Sequence, residues 1–388
     1  MGRSTVSGQI VARAEALVET LLKRAEEIEE ARRLPADLSD AFARAGFYRL
    51  CVPEIYGGLE APPMETMRAV ETLARGDGSA AWCVFIGATS GTILASLPEE
   101  AAREIFATPE TLLCGVFAPR GTATAEEGGY RVEGQWPWGS GTENADWILA
   151  GCRVIRDGEV ETFPNGVPRP GAMMLSRDQV EFLDTWHVTG LAGTGSTDFK
   201  VDGAFVPERR VGGIGGQRRL DRPLYAFPQF GLLSMGIAAV SLGMTRAAID
   251  ELVALADVKT PTMSSRTLAR RPSTQSDVAR AEALLRSARA FYYEAIEEAW
   301  EVAQRGEGLP LAQRRDVRLA TTHATHASAQ AIDLMYNLAG GTSVYRSSPL
   351  QRIFRDVHVA TQHMMVSTGT LELTGRLLLG LETDVAQL

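Results

Sequence analysis

The stretch that decides the fold is TLLCGVFAPRGTATAEEGGYRVEGQWPWGSGTENADWILAGCRVI, residues 111–155. It is β-branched, aromatic and Gly-rich, in short runs broken by turns, which is the texture of strands. GGYRVEGQWPW (128–138), WILAGCRVI (147–155), PGAMMLS (170–176), VEFLDTWHV (180–188) and TDFKVDGAFV (197–206) carry it on. The spacing predicts a small antiparallel barrel or sandwich rather than a parallel sheet alternating with helices.

Outward from this island, both flanks read as helix. On the N-terminal side Val11, Ala14, Leu17, Val18, Leu21 and Leu22 recur at helical spacing. Pro35 and Asp37 mark a break and restart, and Gly46 is placed to close the next helix in the left-handed conformation. Helices are predicted over 64–76 and 79–96, with a short one from Pro98 to about Phe106. On the C-terminal side, 232–256 is nearly apolar over its first half and predicts a buried helix. Further helices are expected over 276–304, with Ser276 as N-cap, over 314–341, and over 349–380, opening at Pro349. The fold class is α+β, mostly α. Residues 1–110 form an N-terminal helical domain, 111–210 a β-domain, and 211–388 a C-terminal four-helix bundle. VGGIGGQRR (211–219) follows no strand–turn–helix unit, so it reads as a linker and not as a dinucleotide loop.

Composition narrows the function. Lys plus Arg is 39 and Asp plus Glu 48, a net charge of −9, which argues against binding nucleic acid by neutralising phosphates. No apolar run is expected to reach the length that spans a bilayer, and the N-terminus lacks the apolar core of a secretory signal. Cys51, Cys83, Cys114 and Cys152 form no CxxC pair. They read as reduced, buried thiols of a cytoplasmic protein, and no metal site is expected.

The order helices, β-domain, four-helix bundle resembles the acyl-CoA dehydrogenase fold. FARAGFYRLCVPEIYGGLE (42–60), LARGDGSAAW (73–82), GQWPWGSGTENADW (134–147), GLAGTGSTDFKVDGAFVP (190–207) and PLQRIFRDVHVATQH (349–363) carry the resemblance across essentially the whole chain. Dehydrogenases of this fold need a carboxylate to take the proton α to a thioester carbonyl. In most of them it stands nine residues after the Arg of an Arg-Asp pair in the last helix. Counted from Arg355, that seat holds Met364, which accepts no proton. The alternative seat, on the first helix of the bundle, is also empty, because 222–249 contains no Asp or Glu.

His363 stands beside the empty seat, eight residues after Arg355. That arrangement resembles the two-component, reduced-flavin-dependent monooxygenases built on the same fold, the phenol hydroxylases most closely. The resemblance implies an oxygenase component that receives FMNH2 or FADH2 from a separate NAD(P)H flavin reductase, by diffusion. With O2 it would form a C4a-hydroperoxyflavin, protected from water, that hydroxylates a small aromatic, phenolic substrate. His363 and His358 are the implied catalytic histidines, with Ser140 near the flavin N5. Trp138, Ser140, Gly141, Val116, Phe117, Thr194 and Ser196 are implied to line the flavin, and Arg266 to reach its phosphate. Phe117-Ala118 stands where the dehydrogenases have Thr-Glu, which removes a hydroxyl contact and suits a flavin that comes and goes. A homotetramer is implied, with no nucleic-acid or membrane partner. N- or S-oxygenation by the same chemistry, a dehydrogenase with a relocated base, and a catalytically inactive binding protein are the competing readings.

Overall fold

The structure is a computed structural model that describes residues 3–163, 166–213, 219–306 and 308–388. Five helices come first: α1 (Arg3–Ala31), α2 (Ala36–Ala45), α3 (Pro63–Ala74), α4 (Gly78–Ser90) and α5 (Glu99–Ile105). Gly46 closes α2 at φ +84°, the left-handed value expected of it. The strands are β1 (Leu113–Glu126), β2 (Gly129–Trp136), β3 (Trp147–Arg156), β4 (Glu159–Val160), β5 (Pro170–Ser176), β6 (Glu181–Leu183), β7 (Asp198–Pro207) and β8 (Val211–Gly213). They make one sheet in the order β6-β7-β2-β1-β3-β5-β8, with β4 on β3.

The pairing departs from the all-antiparallel expectation in one place. β1 and β3 run parallel, and their register breaks between Val116 and Gly121. The extra residues bulge over β3, where a Cβ on Gly151 would stand 2.3 Å from the Phe117 carbonyl oxygen. One face of the sheet packs Trp136, Phe199, Ile148 and Cys152, with the Trp136 ring stacked on Phe199 at 5.2 Å. The other packs Leu149 and Met174 against Leu94, Ile105 and Phe106 from the helical side.

The C-terminal helices are α6 (Gln229–Val258), α7 (Pro272–Gln304), α8 (Leu311–Ala339), α9 (Pro349–Thr361) and α10 (Thr368–Leu378). Two expectations need correction. Helix α7 opens at Pro272, the favoured first helical position, so Ser276 lies inside the helix and caps nothing. The continuous helix expected over 349–380 is broken: α9 ends at Thr361, a 3-10 turn covers Met364–Val366, and α10 restarts at Thr368.

A third correction concerns the apolar runs. Gly78–Ser96 and Phe230–Val258 are long and apolar enough to span a bilayer by length and composition, but 89% and 83% of their most apolar windows are buried inside the fold. Helix α6 is the central element. A Cβ on its Gly243 would meet the Glu71 carbonyl of α3 at 2.1 Å, and one on Gly236 would meet the Phe85 ring of α4 at 2.3 Å. Bare backbone at those two positions lets α3 and α4 dock on it, which joins the N-terminal helices and the bundle in a single core. The Gly-rich linker reading falls partly on β8, and 214–218 lie outside the described residues.

Candidate active site

Three segments meet where the sheet abuts the helices. The first is α4, whose start is fixed by Asp77: its Oδ1 accepts from the Ala80 N–H at 2.8 Å. One turn on, α4 presents Trp82. The second is the turn after β2, which reverses through Trp138 at φ +65° and Gly141 at φ +71°. A Cβ at Gly141 would stand 3.1 Å from the Cys114 sulfur, so this close turn needs glycine. The third is the 189–197 loop, bound to the second by the Gly139 N–H to the Thr197 carbonyl (3.0 Å) and the Gly141 N–H to the Thr194 carbonyl (2.9 Å).

A chain of hydroxyls runs through the junction. Trp82 Nε1–H donates to Ser140 Oγ at 3.2 Å. Ser140 and Ser196 hydroxyls are 2.6 Å apart, and Ser196 and Thr194 hydroxyls 2.7 Å. Thr194 Oγ1 donates to the Leu191 carbonyl at 2.8 Å. Indole N–H can only donate, and each hydroxyl owns one proton. Once Thr194 gives its proton to Leu191, Ser196 must donate to Thr194 and Ser140 to Ser196. The chain therefore has one direction, from Trp82 to Leu191, and Ser140 keeps an acceptor lone pair for anything placed beside it. Ser140, Ser196 and Thr194 are all buried.

The Arg-Asp pair of α9 holds the 189–197 loop. Asp356 Oδ1 accepts from the Leu191 N–H at 2.6 Å, and Arg355 Nη1 donates to the Thr189 carbonyl at 2.6 Å. Burial pushes the Asp356 carboxyl up to about 7, helped by the nearby Asp77 and opposed by the Leu191 hydrogen bond and by Arg352 and Arg355. Burial likewise pushes Asp77 up to about 6 against the pull of Arg352, 4.0 Å away.

His363 caps the 3-10 turn between α9 and α10. Its Nδ1 accepts from the Met365 N–H at 3.2 Å, and its ring lies 5.9 Å from Trp82. An Nδ1 that accepts leaves the proton on Nε2. Burial, and then the Arg318 charge, push His363 down to about 4, so the ring is neutral near neutral pH.

The structure thus brings Ser140, Gly141, Thr194, Ser196 and His363 together around Trp82, with Trp138 at the lip, 66% exposed. Val116 and Phe117 lie half-buried at the β1 bulge. His358 goes elsewhere: its Nε2 is 2.9 Å from Asp333 of α8, and its ring packs on Phe354. Arg266 is exposed on the segment between α6 and α7, where its N–H bonds only the Ser264 hydroxyl. Met364, in the seat of the dehydrogenase base, is exposed and unlike any base. Trp82 and Arg318 had no assigned role in the sequence reading. Trp82 lies inside a quoted motif, but its partner Ser140 is 58 residues away.

The fold and site together define an acyl-CoA dehydrogenase-like fold in which Met364, and no carboxylate, occupies the seat of the dehydrogenase base. Comparison with known proteins agrees. Residues 7–108 match the family "Acyl-CoA dehydrogenase, N-terminal domain", and residues 235–368 match "Acyl-CoA dehydrogenase, C-terminal domain". The chain is 36% identical over 369 residues to an indole-3-acetate monooxygenase of Pseudomonas putida, covering 94% of this chain and 93% of that one. It is 28% identical to the oxygenase component of an FADH2-dependent resorcinol hydroxylase from a Rhizobium species, covering 96% and 95%. The solved structure of XiaF from a Streptomyces species, in complex with FADH2 and glycerol, superposes with a TM-score of 0.89 at 26% identity, covering 100% of this chain and 98% of that one. The chain belongs to the flavin-dependent monooxygenases of the acyl-CoA dehydrogenase fold. It is an oxidoreductase, the oxygenase component of a two-component system whose cofactor is a flavin.

Proposed function

We propose that this oxygenase hydroxylates the ring of a small, electron-rich aromatic of the phenol or indole class. The observation that carries the reading is the pairing of a one-directional hydroxyl chain ending at Ser140 with a neutral His363 across the same Trp82 ring. The relatives named for indole-3-acetate and resorcinol support the ring class.

The residues present fit a flavin. Trp138 offers a flat, exposed apolar face, Ser140 and Gly141 follow it in the same tight turn, and Val116, Phe117, Thr194 and Ser196 would complete the cradle. Reduced flavin, when bound, supplies the two electrons that activate O2. The overall reaction balances as aromatic C–H plus O2 plus reduced flavin giving aromatic C–OH, water and oxidised flavin. Ser140 accepts a hydrogen bond from the bound ring system, and His363 donates through Nε2–H, its Nδ1 being held by the Met365 N–H. The buried chain behind Ser140 leaves no room for bulk water to approach from that side. His358, paired with Asp333, would act only through α9, which leads into the turn that His363 caps. Arg266 would meet a flavin phosphate from a neighbouring copy, in keeping with a homotetramer.

The division at about 110 and 210 serves this chemistry: the helical part supplies Trp82, the β-part Ser140 and Ser196, and the bundle His363. The partner reductase, using NAD(P)H, passes reduced flavin by diffusion in the cytoplasm. The test is a panel of phenols, indoles, thiophenes and amines incubated with the protein, an unrelated flavin reductase, NADH and air. The expected result is product one oxygen heavier on a phenol or indole carbon. Reduction of the bound flavin by an acyl-CoA thioester without air would overturn the reading.

A further inference from the structure

Arg318 of α8 is the most deeply buried arginine in the structure, 1% exposed. Its Nη1 donates to the Met365 carbonyl at 2.6 Å and touches the Met365 sulfur at 3.8 Å, and its Nη2 reaches the Thr370 hydroxyl at 3.4 Å. Its Nε has no partner among the described residues. Among the described residues no carboxylate opposes its charge, and burial pushes the guanidinium down to about 10. Burying a cation without an opposing charge is costly, and holding one carbonyl does not need a full charge. Met365 links it to the site. The Met365 N–H donates to His363 Nδ1, while the Met365 C=O accepts from Arg318.

We propose that Arg318 is a positioning residue for His363. Through Met365 it fixes the turn that holds the imidazole in its Nε2–H form, and by its charge it disfavours the imidazolium. The inference deepens the proposed function and rests on His363 being the working histidine there. It also explains how a histidine stays a neutral hydrogen-bond donor in an acidic protein.

The groups around His363 are consistent with this. Helix α4 brings no charged side chain, and the first half of α6 brings none. Helix α8 brings Arg318 and His326, the latter held by the Val366 carbonyl at 2.9 Å, and an exposed His323. Helix α10 brings Glu372 and Arg376, both exposed. On α9, Asp356 faces Leu191, Arg355 faces Glu29 and Thr189, and His358 faces Asp333. Among the described residues, Arg318 is the charge that bears on the ring.

The chain has five histidines, so nitrogen NMR of histidine-labelled full-length protein resolves the ring directly, with His363→Asn to assign it. In wild type the expected signal is an Nε2–H tautomer that takes up no proton above about pH 5. Arg318→Lys keeps the charge and should leave both properties unchanged. Arg318→Gln keeps a donor to Met365 but removes the charge. It should keep the tautomer and raise the proton affinity of His363 about tenfold, one pH unit. An Nδ1–H tautomer in wild type, or an identical titration in the Gln variant, overturns the proposal. A third result also overturns it: unchanged titration in the Gln variant with KM raised for a carboxylate-bearing aromatic and not for its neutral analogue would make Arg318 a substrate ligand. An Nδ1–H tautomer in wild type overturns the proposal even if the Gln variant does not fold. Full coupling in His363→Ala would remove the proposed function of His363 while leaving the titration result standing.

Discussion

Trp82 Nε1 donates to the hydroxyl of Ser140 across 3.2 Å, joining α4 of the helical part to the turn that leaves the sheet. The Leu191 carbonyl sets the proton order of the hydroxyls through Thr194 and Ser196 to Ser140, and the indole, which can only donate, closes the chain at its other end. Trp82 also packs on Phe85 at 5.0 Å and faces His363. It therefore touches both halves of the proposed site.

Trp82→Phe keeps most of the ring and loses the donor. The lost hydrogen bond is worth about 1 kcal/mol, so the fold should survive with a small drop in Tm. Ser140 then loses the donor that holds its oxygen in place, and the ratio of hydroxylated product to hydrogen peroxide should fall several-fold. Product and peroxide assayed in the same reaction measure it. An unchanged ratio would show that the Trp82–Ser140 hydrogen bond does not serve the reaction.

His363→Ala should leave flavin oxidation running while hydroxylation falls by about 100-fold, the usual contribution of a positioned acid or base. Its pH signature runs in a definite direction. The folded ring is held near 4 against an ordinary 6.5, so the neutral form is favoured by the fold. The stability it contributes is full above about 6.5 and is lost as pH falls through about 4. The Ala variant should lose less Tm than wild type over that interval, as thermal melts at matched ionic strength would show.

The sequence made much of this legible, and the reasons differ by element. Gly46 announced the end of α2 because a left-handed cap has few other occupants. The empty base seat at Met364 and the absence of acids over 222–249 were countable. The break at 362–367 was less visible: apolar spacing runs on through it, and the signal that remained was Ser367 before Thr368, where α10 restarts. The parallel β1–β3 pair could not be read, since it depends on β2 leaving on the far side of β1. Trp82–Ser140 and Arg318–Met365 are contacts between distant segments, 58 and 47 residues apart, which no local pattern encodes.

Gly190→Ala tests whether the Arg-Asp pair of α9 serves the site through the loop it holds. A Cβ at Gly190 would fall 2.4 Å from the Arg355 carbonyl oxygen, and that backbone atom cannot step aside without moving α9. The loop should lift instead and stretch the Asp356–Leu191 and Arg355–Thr189 bonds. Loss of two hydrogen bonds, one to an ionisable group, predicts a destabilisation of about 2–4 kcal/mol with weaker binding of reduced flavin. Denaturant melts and flavin titration under nitrogen measure the two effects. Wild-type stability with wild-type flavin binding would separate the loop from the site.

Asp356→Asn examines the buried carboxylate itself. Asp356 titrates near 7 in the fold and near 3.8 outside it, so the fold favours its protonated form. The sign is opposite to that of a salt-bridged aspartate: its contribution to stability is full below about 4 and is lost as pH rises through about 7. The asparagine has no such proton to lose and still offers an oxygen to the Leu191 N–H. The variant should therefore gain on wild type in Tm as pH rises from about 4 to about 7 and hold a constant offset above that. Asp77 shares the pocket and raises the Asp356 value by its charge, so Asp77→Asn should lower the pH at which the Asp356 effect is felt. A Tm difference independent of pH across that range would mean that Asp356 is ionised throughout, held by Arg352 and Arg355 more strongly than burial opposes it.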